Sequence, residues 1–184
     1  VLKGGNLAVD QEGKEIAKAA RVAQIPMWNA YYFFTLYANA EGYQAKEVSG
    51  SSEAIDNYIL SKLKRLSRIV KQGLDTYDVA LSCNEVASFM EILNNWYIRR
   101  TRDRFWSGDQ QAFDVLYTVL VNLSKIMAPL MPFLCEYVYK NLTGGESVHL
   151  ADYPQLENIK LDETLVDEMD FLQDLCSAGK FIRE

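Results

Sequence analysis

Four arginines, Arg99, Arg100, Arg102 and Arg104, fall within six positions, bracketed by Trp96-Tyr97 on one side and Phe105-Trp106 on the other. A guanidinium is a planar fork that fits phosphate oxygens, and an aromatic ring offers an unpaired base a flat face to stack on. The chemistry of such a run is RNA recognition without a covalent step. A second group of the same character lies earlier, with Lys18 and Arg21 ahead of Asn29, Tyr32 and Phe33. An asparagine amide both donates to and accepts from a base edge.

Helices must position these side chains. Apolar spacing predicts helices over 13–41, 54–74, 78–106, 109–127, 130–143 and 163–180. The fold class is therefore all-α: a bundle of about five main helices over residues 1–151, then a linker and a short acidic helix over 152–184. Asp10 or Gly13 opens the first helix. Ser51, Ser52 and Glu53 offer caps for the second, Asp78 for the third and Asp109 for the fourth. Gly42, Gly73 and Gly144-Gly145 read as stops, and Pro129 with Pro132 breaks the chain between the fourth and fifth helices. Residues 146–154 read as extended, with Val148 and Leu150 alternating against His149 and Ala151.

On the first helix Ile16, Ala20, Ala23, Met27, Ala30, Tyr31 and Phe34 share a core stripe. The opposite side carries Lys18, Arg21, Ile25, Trp28, Asn29, Tyr32 and Leu36, far less charged than an ordinary solvated face. That side either packs on a neighbouring domain or meets unpaired bases. Pro26 kinks the helix or divides it. On the second helix Lys64, Arg65, Arg68 and Lys71 form a basic stripe opposite Ile59, Leu63, Leu66 and Val70. It is a solvated face or a track for a phosphate backbone.

The same angular bookkeeping, carried along the third helix, sets Phe89, Leu93 and Trp96 inside, and Arg100 with them. Arg100 is then the structural arginine, satisfied by a carboxylate or by helix-end carbonyls, because an unpaired buried charge is costly. Arg102 points outward and is the first candidate for phosphate, followed by Arg99 and Arg104. Trp106 fits either a core or a surface role.

Composition narrows the classes. The chain has 184 residues, is 49% hydrophobic and carries a formal charge of −6. Nine of its 25 acids but three of its 19 bases lie in 152–184, so the preceding body is neutral and can carry basic faces locally. No apolar run is long enough to span a bilayer. Cys83, Cys135 and Cys176 are far apart and His149 is the single histidine, which argues for reduced thiols in a cytoplasmic protein and against a metal centre or a nucleophile–base pair. Gly4-Gly5 and Gly144-Gly145 lack the lysine of a phosphate loop. The chain begins Val1-Leu2-Lys3 without a methionine and reads as part of a longer protein. No catalysis is expected from these residues.

Several stretches in order resemble one family. Gly5-Asn6-Leu7 looks like the segment after the KMSKS region of class I aminoacyl-tRNA synthetases. Met27 to Phe34 with Tyr37-Ala38-Asn39, and Asp56 to Leu63, resemble the first two helices of their anticodon-binding domain. Asn95 to Trp106, Ala128 to Phe133 with Glu136, and Ser147-Val148-His149-Leu150 with Asp152 and Pro154 continue the match and are similar to the isoleucyl branch. The resemblance implies a helical domain that recognises the anticodon stem-loop of isoleucine tRNA and docks on the parent enzyme's own catalytic domain, in a cytoplasmic monomer. It implies no cofactor in this chain: ATP and Mg belong to the parent's catalytic domain, whose HIGH and KMSKS signatures are absent here, as is the editing insert. The tRNA contacts expected are Lys18, Arg21, Asn29, Tyr32, Phe33, Arg99, Arg102 and Arg104. The rival from another class is a helical protein-interaction or interdomain docking module, which would bind through Ile25, Trp28 and Leu36 and ignore RNA.

Overall fold

The computed structural model describes residues 20–183. A π-helical turn, Ala20–Gln24, runs into α1, Ile25–Glu41. Then come α2, Ala54–Asp75, and α3, Val79–Glu91. A seven-residue π-helical segment, Ile92–Ile98, carries α3 into α4, Arg99–Trp106. The chain continues through α5, Gln110–Met127, and α6, Pro132–Thr143. A 3₁₀ turn, Val148–Leu150, precedes α7, Glu163–Arg183. Among the described residues there is no strand, so the bundle is all-α as the periodicity predicts. The expected opening at Asp10 or Gly13, Ile16 and Lys18 lie outside the described residues.

The predicted punctuation is largely what forms. Asp78 accepts from the Leu81 amide at 2.9 Å and Asp109 from the Gln111 amide at 3.0 Å, capping α3 and α5. Gly42 ends α1 in the left-handed region at φ 63°, and Pro132 sits in the first turn of α6, where its missing N–H costs nothing. Gly73 has a different role from the expected stop. α2 runs through it, and a Cβ there would collide with Ser82 Oγ and the Asp78 carbonyl, so the glycine lets α2 and α3 cross closely.

α5 is the central rod. Fourteen of its eighteen residues are buried, including Phe113, Leu116, Val119, Leu120 and Leu123. α1, α2, α4 and α6 pack on it, and one apolar cluster joins α1 (Met27, Ala30, Phe34), α2 (Ile59, Leu63, Val70), α3 (Val86, Phe89) and α6 (Cys135, Val138). On α1 the predicted inner stripe is the buried one, from Ala23 through Phe34, and the predicted outer side is the exposed one.

Two segments depart from the sequence reading. Within 146–154 the centre is not extended: the Ser147 hydroxyl accepts from the His149 amide and starts a 3₁₀ turn over Val148–Leu150, which buries Val148 and leaves Leu150 exposed, while Ser147 and Ala151 on either side are extended. The polar stretch 152–162 is docked along α2, with Leu156 and Ile159 joining the core. Lys64 holds it there. Its ammonium is buried and donates to the Ile159 carbonyl at 2.6 Å and the Glu157 carbonyl at 3.4 Å, so Lys64 leaves the basic stripe and α2 presents Arg65, Arg68 and Lys71 alone. Lys71 is paired with Asp75 at 2.6 Å. α7 then rides on α2 through buried Val166 and through Asp170, which accepts from Lys62 at 2.9 Å and from the Tyr58 hydroxyl at 2.6 Å.

Candidate nucleic-acid interface

The π-helical segment decides which face of α4 looks outward. Each π turn takes more residues than an α turn, so a stripe crossing it shifts by about one position, or roughly 100° around the axis. The buried series therefore runs Phe89, Leu93, Tyr97, Thr101, Phe105 and not through Trp96 and Arg100. Trp96 is only half-buried, its ring covered by the Arg100 guanidinium 3.6 Å from the ring centroid. Arg100 itself is exposed, which corrects the expectation of a structural arginine at that position.

Arg104 takes the structural role. Its Nη1 and Nη2 donate to the two carboxylate oxygens of Asp56 at 2.9 and 3.0 Å, and its Nε donates to Asp109 at 2.7 Å. Asp56 is fully buried and also accepts from the Tyr97 hydroxyl at 2.9 Å and the Ser51 hydroxyl at 2.7 Å. Burial works against the Arg104 charge, but the two carboxylates more than offset it and hold the guanidinium firmly protonated. Burial pushes the Tyr97 phenol well up, and the adjacent Asp56 charge pushes it further. Arg104, expected among the RNA contacts, uses three of its five N–H donors inside the fold. It fixes the start of α2 to α4 and to the cap of α5.

With α4 fixed this way, Arg102 projects to solvent beside α1. A groove forms between α1 and the π segment with α4, walled by Asn29, Tyr32, Phe33, Leu36 and Tyr37 on one side and Asn94, Ile98 and Arg102 on the other. Tyr32 is 57% exposed and presents an open ring. Phe33 is half-buried, its ring edge-on to Phe105 at 5.0 Å and tilted on Tyr37 at 4.8 Å, so it forms the groove floor and not a free stacking platform. Trp106 lies behind two of the wall residues: it is 57% exposed, its Nε1 donates to the Tyr37 hydroxyl at 2.7 Å, and the Arg102 guanidinium lies 5.7 Å from its ring. At one end a second depression continues past Asn29 and Asn94 to Arg21, Pro26 and Asn95.

The structure thus brings Arg21, Asn29, Tyr32, Phe33 and Arg102 onto one continuous surface. It does not bring Arg99 there: that side chain lines a separate trough with Trp96, Lys62, Asp170 and Asp174, facing α7. Sequence reasoning missed Tyr37 and Asn94. A register counted through the π turn would have found Asn94, and Tyr37, one turn beyond Phe33, was open to it. Trp28, assigned to the rival docking face, leans on Tyr31 and Tyr137 at 5.6 and 5.8 Å, on the α6 side of α1. Among the described residues no group of His, Cys, Asp and Glu is placed to hold a metal ion, and no helix is long and apolar enough to cross a membrane.

Comparison with known proteins gives the family. The family model described as the anticodon-binding domain of tRNA ligase matches residues 56–184. An isoleucine–tRNA ligase of Leifsonia xyli is 43% identical over the whole of this chain, one of Corynebacterium efficiens 44% and one of Bifidobacterium longum 40%. The chain spans 17–18% of the length of these relatives. The family match over residues 56–184, together with identity above 40% to two of these ligases along the full chain, identifies this protein as a member of the anticodon-binding domain family of tRNA ligases.

Proposed function

We propose that this domain recognises the anticodon stem-loop of isoleucine tRNA on behalf of an isoleucine–tRNA ligase. The observation that carries the reading is the α1–α4 groove, where the exposed Tyr32 ring, the Asn29 amide and the Arg102 guanidinium face one cleft. Stacking, edge hydrogen bonding and phosphate pairing are the three contacts by which a protein reads single-stranded RNA loops. Arg21 extends the basic surface past Asn29, and Arg104 acts from behind by fixing α4; Arg99 faces the separate trough beside α7, and Lys18 lies outside the described residues.

Aminoacylation itself, with its ATP and Mg, belongs in this proposal to the catalytic part of the larger ligase. The rest of the proposal is a monomeric cytoplasmic enzyme whose catalytic domain packs against this one. Trp28 and Tyr137, on the α6 side of α1, favour that side for interdomain docking.

Hydroxyl-radical footprinting of isoleucine tRNA with this chain tests the reading. Protection confined to the anticodon loop and the adjoining stem supports it. Uniform protection along the tRNA would contradict it, and no protection while the chain captures a protein partner would favour the docking-module alternative.

A further inference from the structure

We infer that Arg100 is a further RNA phosphate contact, held in position by the Trp96 ring beneath it; this rests on the domain being an RNA reader. The Arg100 guanidinium carbon lies 3.6 Å from the Trp96 ring centroid, at van der Waals contact, whereas the other cation–ring pairs among the described residues stand at 5.7–5.9 Å. A guanidinium laid on a ring uses its flat face, and its N–H donors lie in its own plane. They remain available: Arg100 is exposed, and among the described residues it makes no hydrogen bond and no ion pair. Arg104, four residues on, is the contrast, with three donors on Asp56 and Asp109. Trp96 suits this pairing better than it suits a packing role. Its Nε1 is the buried side-chain polar atom left without a partner among the described residues. A phenylalanine would fill a half-buried site without burying an unpaired donor. What tryptophan adds is the ring that attracts a cation best.

The pair stands on the way out of the groove. The α1–α4 groove adjoins the depression beyond it through Asn29 and Asn94, and that depression adjoins the trough beside α7 through Glu91 and Asn95. Trp96 and Arg99 line the trough. One surface therefore runs from Tyr32 and Arg102 across the π-helical segment to Trp96. Acids line the rest of the trough: Glu91, Asp170 and Asp174, with Lys62 paired to Asp170. They repel a phosphate from the α7 side and leave the α4 rim, with Arg99 and Arg100, as the place for one. A side chain already laid on a ring gives up less rotamer freedom on meeting a phosphate than a free arginine does. Trp96 is thus the positioning residue and Arg100 the contact.

The test is titration of the fluorescently labelled anticodon stem-loop of isoleucine tRNA over a series of salt concentrations, beside a loop-scrambled control. A second set of stem-loops, in a 2′-O-methyl backbone, carries one neutral methylphosphonate linkage at a time. Arg100→Ala should lower the slope of log affinity against log salt by about 0.7–1. One methylphosphonate should weaken wild type severalfold and leave Arg100→Ala unaffected. Trp96→Leu keeps the charge and loses the platform, so it should bind severalfold more weakly at the wild-type slope; Trp96→Phe, which keeps a ring, should fall between. An unchanged slope in Arg100→Ala, or no linkage whose effect vanishes in that variant, would overturn the inference while leaving the domain an RNA reader. Wild-type affinity in Trp96→Leu would overturn the positioning role. Equal binding of wild type to native and scrambled loops would remove the functional reading and this inference with it. Circular dichroism checks the fold of each variant, and Trp96→Phe carries the positioning test if Trp96→Leu does not fold.

Discussion

Arg104 grips Asp56 with both ends of its guanidinium, at 2.9 and 3.0 Å, forty-eight residues apart in sequence and across two helices. Asp56 has no exposed surface, so every hydrogen bond it accepts comes from within the protein. Asp56→Ala leaves the Tyr97 hydroxyl unpaired and one side of Arg104 unmatched. Breaking a buried pair of this kind costs about 3–5 kcal/mol, and urea unfolding should report a loss of that size. The network also has a pH signature. Burial pushes the Asp109 carboxyl up, but hydrogen bonding and charge from Arg104 outweigh it, leaving Asp109 below the ordinary aspartate value of 3.8. A carboxyl depressed in the native state stabilises the fold above its unfolded pKa and loses that contribution as pH falls through the native one. The stability difference between wild type and Arg104→Ala should therefore be largest above about pH 4 and narrow as pH falls below it.

The all-α class, the caps at Asp78 and Asp109 and the two-sided character of α1 were legible because each rests on local spacing. Arg104 and Arg100 were exchanged because a 3.6-residue period was carried straight through Ile92–Ile98. Nothing in Asn94-Asn95-Trp96 announces a π turn; its effect is to bring Tyr97 and Arg104 onto Asp56, a partner visible only in three dimensions. Lys64 escaped for a similar reason. Its angular position puts it on a polar face, and only the return of residues 157–159 across α2 gives its ammonium the carbonyls that make burial tolerable.

Arg102 and Arg104 should behave as opposites. Arg102 is exposed with its guanidinium over the edge of the groove. Arg102→Ala should leave the melting temperature unchanged, weaken tRNA binding and reduce the slope of log affinity against log salt by about 0.7–1. An unchanged slope would remove its phosphate role. Arg104→Ala should instead lower stability first.

Tyr32 and Phe33, adjacent in sequence, divide in the same way. Tyr32→Ala should cost roughly 1–3 kcal/mol of RNA affinity, the worth of one stacked base, with little change in stability. Phe33→Ala removes a ring packed on Phe105 and Tyr37, and should lower unfolding free energy by about 2–3 kcal/mol. Chemical denaturation and RNA titration of the two variants, side by side, give the check.

Lys64→Ala should release the segment it ties down. With its bonds to the Glu157 and Ile159 carbonyls gone, limited proteolysis should cut within 152–162 much faster than in wild type. Arg65→Ala, one residue on and exposed, should leave that rate unchanged.

The central claim is that the α1–α4 groove reads an anticodon loop. It is tested most directly by fluorescence titration of this chain with isoleucine tRNA, and with the same tRNA carrying a changed anticodon, each at two salt concentrations. The account predicts binding that weakens with salt and, at either salt, weakens further when the anticodon is changed. Equal affinity for both tRNAs would contradict it.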